Sequence, residues 1–299
     1  MYSLSGVYQR DIRHKIVGTT QTITDVMIDN DALKQKYNPE GSKLRANQKE
    51  LLEMLLDIAK ICDENNIRWW LSSGTLLGAA RHGGFIPWDD DVDIVMLRKD
   101  AKRLEKILLN LNSDKYVYQT MRSDIEYTNN FGKFRKRGES VAIYGGRYKY
   151  LNYKGKFLDV FSIEKTSYAA ARAGKVIYRN LEHLSIYIKT KWLRHFVTRL
   201  IQFLCLGLIN PTLRLIGLIN PKGEYHYSLG IGWPKSTFYA KDIFPLGKAR
   251  FEGYEFPVPR DMDAYLTNVY GDWRKLPTEE QILANIHAVD YREEILARK

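Results

Sequence analysis

The chain has 299 residues, 44% of them hydrophobic and 27% charged, with a formal net charge of +11. That length can bury a sizeable core, and this composition excludes a disordered or fibrous chain. The two cysteines, Cys62 and Cys205, lie far apart in apolar helical patterns, which excludes a disulfide framework or a cysteine metal knuckle.

The opening segment "MYSLSGVYQRDIRHKIVG" lacks the apolar core of about 7–15 residues that marks a secretory signal, so a cytoplasmic protein is expected. Residues 1–43 read as a polar lead-in. From Leu44 to Asn66 the apolar residues recur at helical spacing. "IRWWL" (67–71) then reads as a short buried strand, and "SSGTLLGAARHGG" as a turn opening a short helix. "VDIVML" reads as a second strand, followed by a helix from about Lys99 to Leu111. Residues 115–163 alternate in strand fashion and end in "GKFLDVFSI". Residues 170–222 change to long helical patterning rich in Lys, Arg and apolar side chains, and 223–299 hold turns, an extended piece, a helical stretch through "MDAYLTNVYGDW" and one last amphipathic helix. The pattern predicts an α+β fold with a mixed sheet at 44–169 flanked by helices and an added helical segment.

The stretch "WDDDVDIVML" (88–97) packs four aspartates against an apolar strand. Adjacent carboxylates at the edge of a buried element repel one another unless a cation sits among them. Strand alternation puts Asp91 and Asp93 on one face, about 7 Å apart by the rise of a strand. That pair suits a hard divalent ion, Mg²⁺ or Mn²⁺. An EF-hand fails, because Ile94 stands where glycine is required and Asp100 where glutamate is required. A glycosyltransferase-type D-x-D ends a hydrophobic strand, whereas here the apolar residues follow the acids. A nucleotidyltransferase plan has its parts in order: "LSSGT" at 71–75, "DVDI" at 91–94 and "LDV" at 158–160, with Asp159 as third acid and proton acceptor. In that plan Ser73, Gly74 and Thr75 open a helix whose N–H groups face a donor phosphate, although the hydroxyls serve equally as helix caps.

"SSGTLLGAARHGGFIPWDDDVDI" (72–94) closely resembles the signature of the LicD family, which includes phosphorylcholine transferases and fukutin-type polyol-phosphate transferases. Weaker echoes follow in family order at "NNFGKFRKRGES" (129–140), "GKFLDVFSIE" (155–164), "KDIFPLGKARFEGYEFPVP" (241–259) and "YGDWRKLPTEEQILANIH" (270–287), so the resemblance spans roughly 44–290. It implies a nucleotidyltransferase-like fold and transfer of a phospho-alcohol unit from a CDP-linked donor, CDP-choline first, to a sugar hydroxyl of a surface glycan. Carried onto this chain, it makes Asp91, Asp93 and Asp159 metal ligands and places Arg81 and His82 inside the signature. Lys133 and Arg135 share a strand face and suit donor phosphates, or form a solvated basic strand; His287 either contacts substrate or sits on a helix face. A Tyr-rich insert at 143–156 departs from the family pattern and bears on the acceptor. Nucleotidyl transfer with pyrophosphate release and a non-catalytic membrane-associated scaffold remain the alternatives.

The positive charge is localised: residues 131–156 carry eight Lys/Arg against one acid, and residues 172–199 seven against one. Residues 195–220 are apolar but interrupted by Arg199, Gln202, Asn210, Pro211 and Arg214, too polar by sequence to span a bilayer. They read either as a helical hairpin packed on the core or as an interfacial segment at the inner face of the membrane, with Lys189, Lys191 and Arg194 toward anionic lipid. No nucleic-acid motif is present, and the acidic cluster argues against that partner.

Overall fold

A computed structural model of the chain describes residues 29–142, 148–220, 222–231 and 236–298. The expected lead-in contains a helix, α1 (Asn30–Tyr37), capped by Asp29, whose carboxylate accepts from the Ala32 N–H. Tyr37 is buried edge-on against Trp88, a contact that no local periodicity announces. Then come α2 (Lys43–Glu64), β1 (Trp69–Leu71), α3 (Ser73–His82), β2 (Asp93–Leu97) and α4 (Arg98–Leu109). Leu44, Leu51, Leu55, Ile58 and Cys62 bury one face of α2, as their spacing requires.

The 115–163 region divides into β3 (Tyr116–Gln119), β4 (Gly132–Lys136) and β5 (Phe157–Lys165), with irregular loops between them. Buried Asp124 ties those loops together, accepting from the Gln119 side-chain amide and from both the backbone and side-chain N–H of Asn152. Residues 143–147 of the Tyr-rich insert lie outside the described residues.

Five strands run in the order β1-β2-β5-β4-β3, with β2 and β5 parallel and the other pairs antiparallel. β6 (Tyr225–Tyr227) continues the β4 side of β5 at Ile163–Lys165. The chain is an α+β protein built on a mixed sheet. Trp69 and Trp70 act as packing residues, set against Phe256 and Phe244.

After β5 come α5 (Tyr168–Ile186), α6 (Lys191–Leu204), a π-helical turn (Cys205–Ile209) and α7 (Asn210–Gly217). The last three form one helix of 27 residues that, by length and composition alone, is long and apolar enough to cross a membrane. A short α8 (Ala240–Ile243), the hairpin β7 (Gly247–Phe251) and β8 (Tyr254–Val258), and α9 (Met262–Tyr270) follow. The single closing helix expected from sequence is two, α10 (Glu279–Asn285) and α11 (Val289–Ala297). They break at His287 and Ala288, whose backbone N–H groups both donate to the Asp90 carboxylate instead of continuing a helix.

Candidate active site

The site is built by register. β2 and β5 run parallel with Asp93 opposite Asp159, and β5 and β4 antiparallel with Asp159 opposite Lys133. Residues opposite one another on neighbouring strands, about 4.8 Å apart, point to the same face, so Asp93, Asp159 and Lys133 form one row. Asp91 lies in the loop just before β2 rather than on the strand itself, yet its carboxylate still joins the row. Carboxylate oxygens of Asp91, Asp93 and Asp159 lie within 4.8 Å of one another. The Lys133 ammonium, 2.5 Å from Asp159 Oδ1, rests over the Phe157 ring.

The loop that carries the aspartates is held from three sides. The Asn47 side-chain amide donates to the Asp90 carbonyl (3.1 Å) and that of Gln48 to the Asp89 carbonyl (3.0 Å). The buried Thr75 hydroxyl accepts from the Asp93 N–H (2.8 Å), and the Ser72 N–H donates to the Asp93 carbonyl. Gly74 lets Asp89 approach: a Cβ there would stand 2.6 Å from Asp89 Oδ2. The Asp90 carboxylate, near that of Asp91, accepts three bonds, from the backbone N–H groups of His287 (2.8 Å) and Ala288 (2.7 Å) and from His287 Nδ1 (2.9 Å).

Charge is in excess here. Burial pushes the carboxyls of Asp89 and Asp93 well above the usual carboxylate range, and mutual repulsion adds to it. Asp91 is raised by burial too, against the pull of His287. Burial works against a charged His287, but Asp90, Asp91 and Asp89 outweigh it and raise its pKa to about 10. Lys133 and His287 thus balance part of the negative charge. Three converging carboxylates in a buried setting are a donor set that fits a hard divalent cation, which takes oxygen ligands and removes the remaining repulsion.

The other sequence candidates fall into distinct places. His287 reaches the acidic loop, with Nδ1 3.7 Å from Asp91 Oδ2 and its ring half-exposed. Ser73 and Gly74 open α3 beside Asp89, with Ser73 in the left-handed region (φ 47°). Thr75 serves the Asp93 backbone rather than an open phosphate site. Arg81 and His82 close α3, about 10 Å along the helix from Gly74 by its rise. Arg81 donates to His82 Nε2 and to the Trp273 carbonyl, and His82 packs on Trp88 with its other nitrogen on Asn30. Burial lowers the His82 pKa to about 3, so the ring is neutral. These two residues fasten α1 and the C-terminal region to α3. Arg135 shares the face of Lys133, yet it is buried; it donates to Gln119 and to the Gly155 carbonyl (2.6 Å) and stacks on Phe157. It organises the loop before β5. Asp89 and Asp90 were legible as acids, but their separate duties were not, because each depends on a remote partner, α3 for one and the 287–288 backbone for the other.

Residues 66–202 match the family described as LicD/FKTN/FKRP, nucleotidyltransferase domain, which covers the whole row of acids and Lys133. The chain carries a LicD-family domain. The similarity of the protein to the lipopolysaccharide cholinephosphotransferase LicD of Haemophilus influenzae is 29% identity over 262 residues, 79% of this chain and 93% of that protein. An uncharacterized Rickettsia prowazekii protein, RP689, is 26% identical over 241 residues, 81% of this chain and 60% of its own. The human ribitol 5-phosphate transferase FKRP shares 42% over 50 residues, 17% of this chain and 10% of FKRP. The LicD-family domain thus places this chain among relatives named as phospho-alcohol transferases.

Proposed function

We propose that this protein transfers a phospho-alcohol unit, phosphorylcholine in the first instance, from a CDP-linked donor to a sugar hydroxyl of a glycan. The observation that carries this reading is the row of Asp91, Asp93 and Asp159, whose oxygens lie within 4.8 Å of one another inside a LicD-family domain. Asp91, Asp93 and Asp159 would hold Mg²⁺ or Mn²⁺, which supplies charge neutralisation of the phosphate oxygens during in-line displacement.

The chain's own residues do the rest. Asp159, which accepts from Lys133 at Oδ1, would take the proton of the acceptor hydroxyl. The new bond joins that oxygen to the phosphorus of the phospho-alcohol; the phosphorus–oxygen bond to CMP breaks, and CMP leaves. Lys133 keeps Asp159 in place and offers its ammonium to phosphate oxygens. His287, held protonated by Asp90, presents positive charge at the open side of the same loop.

The test is product analysis by mass spectrometry. Purified protein is incubated with Mg²⁺ and CDP-choline, CDP-glycerol, CDP-ribitol or nucleoside triphosphates, with simple sugars and an Asp91→Asn control. CMP release that needs both metal and Asp91 is the expected result, with the preferred donor naming the unit moved. Pyrophosphate release would replace this reading with nucleotidyl transfer. An Asp91→Asn variant as active as wild type would overturn the site.

A further inference from the structure

The helix Lys191–Gly217 is built inside out. A helix lying on a soluble domain turns its apolar stripe to the core and its polar face to water. Here Arg194 is only 4% exposed, and Thr198, Gln202 and Asn210 are buried with it. The outward face carries Trp192, Phe196 and Phe203, exposed by 71%, 63% and 73%, and continues through Leu208 and Leu215 to Leu218 just beyond the helix end. An apolar face of this length on a folded protein marks a surface that meets something other than water.

The polar face is tied to the domain near both ends of the helix. Arg194 donates to Glu126 (2.7 Å) and to the Ile188 carbonyl (3.0 Å) near the start. Asn210 donates to the Tyr178 hydroxyl, and Arg214 to Glu164, both at 2.8 Å. Gly217 packs so closely on Thr166 that a Cβ would stand 2.2 Å from its hydroxyl. A helix about 40 Å long, pinned near both ends with buried side chains between them, lies flat on the domain and does not thread a bilayer. Its exposed fringe is basic: Lys189, Lys191 and Arg199, with Arg172 and Arg179 exposed on α5. Between Tyr168 and Ile219 the sequence has one acid, Glu182.

We propose that this face seats the protein on an anionic lipid bilayer, the helix lying in the interfacial plane with Trp192, Phe196 and Phe203 in the headgroup–acyl boundary. A second copy of the chain is a poorer occupant, because pairing two such faces brings two basic fringes together, whereas an anionic surface satisfies the apolar face and the cations at once. This inference is independent of the transferred group, since its test reads binding and not turnover.

The experiment is flotation of the full chain with vesicles of phosphatidylcholine, with and without phosphatidylglycerol. Wild type is compared with W192S/F196S/F203S and with K189E/K191E/R199E, alongside light scattering for oligomeric state. Wild type floats with the anionic vesicles and less with phosphatidylcholine alone. The serine variant, unchanged in thermal midpoint because its side chains leave no core, loses more than about 10-fold in apparent affinity. The charge-reversed variant loses the preference for phosphatidylglycerol. Wild type that stays with the soluble fraction, or a serine variant that floats equally well, overturns the proposal. So does a wild-type dimer that the serine substitutions dissociate, which assigns the face to a second copy.

Discussion

Asp90→Ala separates the scaffold of the site from its chemistry. The substitution removes the acceptor of three hydrogen bonds, two from the backbone N–H groups of His287 and Ala288 and one from His287 Nδ1. Bonds to a charged acceptor contribute about 1.5–3 kcal/mol each, but three on one carboxylate do not add. The expected loss is about 3–5 kcal/mol, the range for removing one partner of a buried ion pair, or roughly 10 °C in melting temperature. The damage is directional. Asn47 and Gln48 hold the backbone of the acidic loop, through contacts the substitution leaves alone. The segment beyond Ile286 has the Val289 N–H on the Ala142 carbonyl and the buried side chains of Tyr291 and Ile295 to keep it in place. Amide exchange is therefore expected to accelerate at 286–298, with α2 and β2 little changed. Asp90→Asn keeps an oxygen for the two backbone donors and loses less than half as much. Urea unfolding at neutral pH, with hydrogen exchange by mass spectrometry, checks both. A loss below about 1 kcal/mol, or exchange that quickens uniformly, would refute the anchoring role.

Gly74→Ala drives a Cβ to 2.6 Å from Asp89 Oδ2, so the Asp89 carboxylate must swing aside; a stability loss of about 1 kcal/mol is expected with a larger fall in turnover, read by calorimetry and CMP release. Arg135→Met strands the acceptors on Gln119 and Gly155, lowering stability by about 2–4 kcal/mol and leaving the KM for donor unchanged; a raised KM with an unchanged melting temperature would return Arg135 to the donor site. Burial works to raise the Glu126 pKa, but Arg194 and His195 outweigh it and hold the carboxyl below its ordinary value of 4.5. A depressed folded pKa gives stability that is complete above the unfolded value and lost as pH falls through the folded one. Glu126→Gln should therefore lower stability at neutral pH and flatten the acid limb of a plot of urea midpoint against pH; a parallel curve would show that the ion pair adds nothing.

Asp93 and Asp159 were legible because each stands in an apolar run whose pattern depends only on local chain geometry, whereas Asp91 joins them from the loop before β2, where strand alternation does not apply. Strand alternation put Lys133 and Arg135 on one face, but it could not say which of them stays at the row. Register decides that. Lys133 falls opposite Asp159, while Arg135 falls opposite Phe157 at the start of β5, where Gln119 and the Gly155 carbonyl claim it. Arg81 and His82 show the converse limit. They stand inside the family signature, yet a helix that carries Gly74 at one end carries them two turns away, where they bind Trp273 and Asn30. Membership of a motif places a residue on an element, and the element's length then sets its distance from the chemistry.

Residues 191–217 pose a different problem. Helical periodicity divides such a segment into an apolar and a polar face, and the usual inference turns the apolar one inward, because water is taken to be the medium outside. What fixes the orientation here is the partner of each polar side chain. Arg194 has Glu126, Asn210 has Tyr178 and Arg214 has Glu164, all supplied by distant parts of the chain. Once those pairs form inside, the apolar residues have no place but the surface. A buried arginine paired with a buried glutamate contributes little net stability over an apolar pair, so the arrangement is not explained by folding in water. It is explained if the opposite face needs to be apolar, and a domain whose sheet and acidic row are already packed has no further core to offer it.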